Sequence, residues 1–332
     1  MNADLRLPTF ADIEAAAARI APWAVVTPLI ENPDLNARVG GRVLLKLETF
    51  QRTGSFKFRG ACNRILKIPE GARANGVVAF SSGNHAQGVA AAASLFSIAA
   101  TIVMPADAPR AKIEGTRALG AEIVTYDRKT GDREAIAAEI VAARGATLVR
   151  PFDDADIVAG QGTVGLEIAR AAAERGVTLD AVLVPCSGGG LVSGIALALS
   201  RTSPGTKVYS VEPEGFDGMR QSYDSGRRVA AQIAAPSMAD ALMAPMPGQV
   251  PFAIAKEYLA GGFAVGDEAL ARAVSFAFRR LKIIVEPGGA AALAALLCGA
   301  FDGEDRTTAI VVSGANADPD TVCDCCARFP AP

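Results

Sequence analysis

An α/β fold with two largely parallel sheets is predicted by three observations. Short β-branched runs alternate with Ala-rich helical stretches almost throughout. The runs are continuously apolar, as strands covered on both faces are. The chain has 332 residues, 50% of them hydrophobic and 20% charged, enough for two domains built on a large common core.

Taken in order, Thr9 followed by Asp12 reads as a capping box that opens the first helix. Strands are predicted at Val43 to Leu47, Val77 to Phe80, Ile98 to Met104, Glu122 to Thr125, Ala181 to Pro185, Lys207 to Val211 and Thr308 to Val312. Helices are predicted from about Phe58 onward, then at His85 to Leu95, Ala108 to Leu119, Asp132 to Ala143, Gly162 to Arg175 and Leu191 to Leu199. The stretch from Val149 to Asp154 breaks the alternation and returns the chain to its first domain. Residues 1–70 and 152–332 are therefore expected to form a large domain, and 71–151 a small one. Ala235 to Pro251, rich in Pro, Gly and Met, has no period and reads as a long loop of the kind that carries function.

Several function classes fall away. A net charge of −2 without a basic stripe argues against nucleic acid as a partner. The first residues lack a basic segment followed by an apolar one, so no export signal is read. The longest apolar run, Val89 to Met104, is shorter than the roughly 20 residues of a spanning helix and divides into a helix and a strand. No membrane association and a cytoplasmic location are the expectations. Six cysteines without a secreted framework suit reduced thiols, and the cluster Cys323, Cys325, Cys326 lacks the spacing of a zinc site. His85 is the only histidine, which removes His-pair metal sites and leaves a hydrolase triad little to work with.

Two segments carry the chemistry. Lys57 lies in Thr53-Gly54-Ser55-Phe56-Lys57-Phe58-Arg59-Gly60, a turn followed by an apolar helix, where lost hydration favours a neutral, nucleophilic amine. Ser187-Gly188-Gly189-Gly190-Leu191 joins a strand to a helix and offers backbone N–H groups to a phosphate. The dinucleotide and P-loop glycine spacings are absent, so a monophosphate fits better. An amine and a phosphate cradle together point to pyridoxal phosphate held as a Schiff base. Ser81-Ser82-Gly83-Asn84-His85, at a strand end before a helix, offers hydroxyls and N–H groups to a substrate carboxylate, or else simply caps that helix. Ser313, after the last strand, supplies one more hydroxyl at the carboxyl edge of a sheet.

With these segments placed, the chain resembles the serine/threonine dehydratase group of fold-type-II pyridoxal-phosphate enzymes, which also contains serine racemases. The resemblance rests on Lys46 to Glu48, Gln51 to Ala61, Ser81 to Gly88, Ala159 to Thr163, Pro185 to Leu191, Val211 to Pro213, Glu286 to Ala290 and Ser313 to Asn316. It implies a tryptophan-synthase-β-like fold, two open twisted sheets with the cofactor between the domains, and a small domain that closes over substrate. Lys57 is then the Schiff-base lysine and Phe56 packs by the ring. Asn84 bonds the phenolic oxygen, Ser187 to Leu191 hold the phosphate, and Ser313 faces the pyridine nitrogen. Ser81, Ser82, Asn84 and His85 become the substrate pocket, and Ser82 matches the residue that acts from the opposite face in racemases.

The resemblance also implies a cation, divalent or monovalent, at Glu212, although the second acid expected six positions on is replaced by Gly218, with Asp217 one place earlier. Ser313-Gly314-Ala315-Asn316 stands where the group has Ser-Gly-Gly-Asn. Arg133 aligns with an arginine that contacts polar or acidic substrate side chains in some relatives, and a guanidinium suits a second carboxylate. The expected activity is α,β-elimination on a small amino-acid substrate of the L-serine or L-threonine type, giving a 2-oxo acid and ammonia. The alternatives are 3-hydroxyaspartate or another hydroxylated compound as substrate, racemisation, and, from a different class, a non-catalytic carrier of the cofactor. A homodimer is the arrangement usual in the group.

Overall fold

The computed structural model describes residues 5–81, 83–108, 110–233 and 235–330. Its strands are β1 (Leu29–Glu31), β2 (Arg42–Leu47), β3 (Val77–Phe80), β4 (Ala100–Pro105), β5 (Glu122–Tyr126), β6 (Thr147–Leu148), β7 (Ala181–Pro185), β8 (Lys207–Pro213), β9 (Gly261–Val265) and β10 (Thr307–Val312). They form a six-stranded sheet in the order β1-β2-β10-β7-β8-β9 and a four-stranded sheet in the order β5-β4-β3-β6. Only the β1–β2 pair is antiparallel among these ladders. No described helix is long and apolar enough to cross a membrane.

Side-chain alternation shows why both faces of the larger sheet are covered. Val43, Leu45 and Leu47 of β2, Leu183 of β7 and Ile310 and Val312 of β10 pack with Phe276, Leu293 and Val322 on one face. Leu44, Val182, Val184, Ala309 and Val311 point the other way, against Val164, Ile168, Val192 and Ile195. The smaller sheet divides likewise. Val77, Ala79, Ile102 and Met104 pack with Val89 and Ala93, whereas Val78, Phe80 and Val103 meet Ala137.

All seven strands expected from the sequence are present. The other three carried no signal: β1 and β6 have three and two residues, and β9 begins Gly261-Gly262, which reads as a turn. Gly262 makes room there for Ser210 on the neighbouring strand, whose Oγ would sit 2.3 Å from an added Cβ. The Thr9–Asp12 capping box forms as expected. One helix starts earlier than expected: it runs Ala155–Glu174, with Asp154 capping the N–H groups of Asp156 and Ile157. Gly160 and Gly162 look like helix breakers in isolation. In the fold they let helices cross closely, since a Cβ at Gly160 would lie 2.6 Å from Gly60 Cα, and one at Gly162 2.9 Å from the Gly194 carbonyl oxygen.

Candidate active site at the loops between the sheets

Lys57 opens the helix Lys57–Leu66. The residues before it are pinned by the Ser313 loop: Ser55 and Gly314 form an antiparallel bridge, Phe56 N–H donates to the Ser313 carbonyl at 3.2 Å, and Ala315 N–H to that of Gly54 at 2.9 Å. The helix itself is anchored by a buried charge cluster. Arg59, 1% exposed, donates to Glu48 at 2.7 Å and to Glu167 at 2.6 Å, and Lys46 reaches Glu167 at 2.5 Å. Burial works against the Arg59 charge, but the two carboxylates hold its pKa above the usual guanidinium value. The base of the helix Lys57–Leu66 is thereby fixed from three elements.

The Lys57 amine turns toward the segment that links the two sheets. Its Nζ donates to the Pro151 carbonyl oxygen at 2.8 Å and lies 5.2 Å from the centroid of the Phe56 ring. Burial lowers its pKa to about 8, against a smaller opposing pull from Glu286. The next residue along the linking segment, Phe152, packs on the glycine turn. A Cβ at Gly188 would be 2.3 Å from the Phe152 ring, and one at Gly189, whose φ is +95°, 2.3 Å from Met219 Cε. Glycine is thus the residue that fits at both positions.

The helix Gly190–Thr202 starts from this turn with no side chain capping its first N–H groups, although Gly188, Gly189, Gly190 and Leu191 are all buried. A buried, uncapped helix start calls for an acceptor from outside the chain. Ser187 Oγ accepts from Ala244 N–H at 3.1 Å, and Gly248 N–H donates to the Gly188 carbonyl at 3.0 Å. The expected loop is thereby drawn against the turn, but it is shorter than the sequence suggested: it contains a 3₁₀ helix at Asp240–Leu242 and ends at Gly248, where the helix Gln249–Tyr258 begins.

On the other side, Ser81 directly follows β3 and its Oγ accepts from Gly83 N–H at 3.2 Å. Ser82 lies outside the described residues. Asn84 and His85 begin the helix Asn84–Leu95 and are both buried. His85 Nε2 meets the Val149 carbonyl oxygen at 2.9 Å, while Nδ1 is buried without a partner. Burial, with the nearby Lys57 charge, takes its pKa down to about 3, so the ring is neutral and orients the loop rather than supplying charge. Ser313 is 4% exposed. Arg133, at the start of the helix Arg133–Arg144, is exposed and holds its guanidinium 5.4 Å from the Phe80 ring, the residue just before Ser81.

Glu212 is placed differently. Its carboxylate accepts the N–H groups of Met219 and Arg220, both at 2.8 Å, and so caps the helix Gly218–Ser225. Asp217 is taken up by Arg220 and Gln221. Among the described residues no group of three or more His, Cys, Asp or Glu side chains is arranged to hold a metal ion. Two residues at the site had no role in the sequence reading. Glu286 accepts from Asn84 Nδ2 at 2.5 Å, and Asn316 donates to Asn84 at 2.6 Å. Both belong to segments singled out by resemblance, but nothing in a linear sequence reveals that their side chains meet.

An amine with a lowered pKa, a buried uncapped glycine turn and an aromatic ring beside the amine suit a phosphorylated aldehyde. Residues 20–314 match the family model described as "Pyridoxal-phosphate dependent enzyme". The chain belongs to this family. Its cofactor is pyridoxal phosphate. The chain is 43% identical to an L-threo-3-hydroxyaspartate ammonia-lyase of Pseudomonas sp, over 95% of this chain and 97% of that protein. It is 39% identical to a serine racemase of Schizosaccharomyces pombe, over 96% and 97%. A crystal structure of a threonine deaminase from T.th. superimposes with a TM-score of 0.88 at 42% identity, covering 94% of this chain and 99% of that one. Three different activities at similar distance leave the substrate to the site's own residues.

Proposed function

We propose that the chain is a pyridoxal-phosphate-dependent ammonia-lyase that converts a β-hydroxy amino acid of the L-serine or L-threonine type to a 2-oxo acid and ammonia. The observation that carries this reading is the Lys57 amine, brought to about 8 by burial and held 2.8 Å from the Pro151 carbonyl. A lysine in water is almost wholly protonated at neutral pH, whereas this one exposes a lone pair often enough to take a proton.

Pyridoxal phosphate supplies an aldehyde for amines and a ring that withdraws electrons from the α-carbon. Lys57 would serve as the amine that holds it and then as the base that takes the α-proton. As the β carbon–oxygen bond breaks, that proton passes to the departing hydroxyl, which leaves as water, and one water then hydrolyses the dehydrated product to the 2-oxo acid and ammonia. The N–H groups of Gly188, Gly189, Gly190 and Leu191, with Ser187, would hold the phosphate at a positive helix end. Phe56, whose ring centroid is 5.2 Å from Lys57 Nζ, would flank the cofactor, and Ser313 would supply it a neutral hydroxyl. Ser81 and the start of the helix at Asn84 receive the substrate carboxylate, with neutral His85 holding their loop to Val149. Residues 71–151 act as the domain that closes and excludes water.

The substrate 3-hydroxyaspartate is a second reading, favoured by one observation. Arg133 has no ion pair among the described residues and stands over Phe80, next to the carboxylate loop. An unpaired guanidinium there can grip a second carboxylate bidentately. A cytoplasmic location belongs to the same reading, and a homodimer would cover apolar side chains left exposed, such as Val26, Phe50, Phe278 and Ile284. The deciding experiment is borohydride reduction of the purified holoenzyme followed by peptide mapping, together with ammonia release from Lys57→Ala. Label elsewhere than Lys57, or full turnover by the variant, sinks the mechanism.

A further inference from the structure

Three side chains from distant parts of the sequence form one hydrogen-bonded line beside Lys57. Asn316 Nδ2 donates to the Thr53 carbonyl oxygen at 2.7 Å and to Asn84 Oδ1 at 2.6 Å, and Asn84 Nδ2 donates to Glu286 Oε1 at 2.5 Å. The direction of the line is dictated at one end, because a backbone carbonyl accepts and never donates. Thr53 therefore settles which end of the Asn316 amide is nitrogen. The second N–H of that nitrogen settles which end of Asn84 is oxygen, and the Asn84 nitrogen is left facing Glu286. An amide nitrogen carries two N–H bonds. Asn84 consequently keeps one that neither partner takes.

Glu286 is 3% exposed, and Gly314 is what admits it: a Cβ there would lie 2.2 Å from Oε1. The Glu286 backbone N–H also donates to the Gly314 carbonyl at 3.1 Å, so the main chain of Glu286 is tied to the Ser313 loop on which its carboxyl packs. The charged groups that face it are Asp240 on the 3₁₀ helix, Lys112 on the helix Arg110–Ala118, and Lys57. Asn84 belongs to the helix that packs on the four-stranded sheet, while Thr53, Glu286 and Asn316 lie on loops of the six-stranded one.

We propose that Glu286 is a positioning residue which, with Asn316, locks the Asn84 amide in one orientation and reserves its single uncommitted N–H for the cofactor ring. The proposal rests on the assignment of Lys57 and Asn84 to pyridoxal phosphate. Burial, opposed by the Asn84 N–H, places the Glu286 carboxyl at about 7, so the lock changes charge near neutrality. The bound cofactor senses that charge through Asn84.

The test measures the cofactor dissociation constant and the visible absorbance of the bound cofactor from about pH 6 to 9, across the Glu286 titration. Glu286→Gln keeps an acceptor for Asn84 but cannot ionise: cofactor affinity stays within about threefold of wild type, and the absorbance inflection near neutral pH disappears. Glu286→Ala and Asn316→Ala release the amide, and the dissociation constant rises about tenfold, the worth of one hydrogen bond to a charged group. A glutamate that served folding alone would lower the melting temperature of the apoprotein and leave the inflection of the Gln variant in place. That surviving inflection overturns the proposal. So does a change in affinity below about fivefold in both alanine variants, smaller than one such bond. Should Glu286→Ala fail to fold, the isosteric Gln variant decides alone. Borohydride trapping on Lys57 in the wild type, run in parallel, separates failure of this inference from failure of the cofactor assignment.

Discussion

Lys57 Nζ and the Pro151 carbonyl oxygen are 2.8 Å apart across 94 residues of sequence. The carbonyl belongs to the segment by which the chain leaves the four-stranded sheet, so the reactive amine is held by the linker between the sheets. Three contacts converge on this short stretch: His85 on Val149, Lys57 on Pro151 and the Gly188 turn on Phe152. Movement of one sheet against the other would therefore be felt at the amine.

Replacing Lys57 by arginine tests whether charge or basicity matters. A guanidinium stays protonated at any working pH and cannot take the α-proton. Lys57→Arg is expected to fold normally and to lose at least about 10³-fold in kcat. Steady-state ammonia release with circular dichroism as the fold control checks this, and a loss of only a few-fold would contradict it.

Arg133 decides between the two substrate readings. If it binds a second carboxylate, Arg133→Ala loses about 10-fold or more in kcat/KM on 3-hydroxyaspartate, the worth of a charge-assisted hydrogen bond, and little on threonine. Equal losses on both substrates would return Arg133 to an ordinary exposed position beside Phe80.

Arg59 tests the anchor beneath the helix Lys57–Leu66. Its removal strands Glu48 and part of Glu167 as uncompensated charges in the interior. Arg59→Ala is expected to cost about 3–5 kcal/mol in urea unfolding of the apoprotein. A cost below about 1 kcal/mol, the range of surface ion pairs, would mean the cluster is far better hydrated than its burial indicates.

The pH dependence of apoprotein stability has a defined sign. Burial raises Glu286 to about 7 and Glu212 to about 8 from the ordinary 4.5, so the fold keeps protons that the unfolded chain has released. Their contribution is complete below about pH 4.5 and fades as pH climbs through 7 and then 8. Lys57, lowered from 10.5 to about 8, acts oppositely, and its penalty lifts only above pH 8. The urea midpoint should thus be lower near pH 8 than near pH 5.5, and Glu286→Gln should narrow the gap, since it removes one of the two titrating carboxyls. A midpoint that rises over this interval would show that these carboxyls ionise freely in the fold.

Much of the fold was legible because the larger strands are covered on both faces and announce themselves as apolar runs between Ala-rich helices. What escaped notice was short or glycine-headed, such as β6 and β9, where pairing with a neighbour rather than local preference makes the strand. The helix containing Gly160 and Gly162 was truncated for a related reason. Glycine disfavours an isolated helix, yet here it is what close helix crossing demands. At the site, Lys57 and the glycine turn stood out in the sequence by their own chemistry, and the fold buries the amine and the three glycines. Glu286, Asn316 and Pro151 did not stand out, since an acid, an amide and a carbonyl oxygen acquire a role only from what they touch.

By itself, the order of residues determined the alternating strands and helices, the lysine at the helix start and the glycine turn, because each depends on neighbours a few positions away. Only the tertiary structure decided the state of those groups. The lowered pKa of Lys57, the neutral ring of His85 and the one free N–H of Asn84 each arise from burial and from partners as many as 232 residues distant. Desolvation and hydrogen bonding act through space, and no local pattern encodes them.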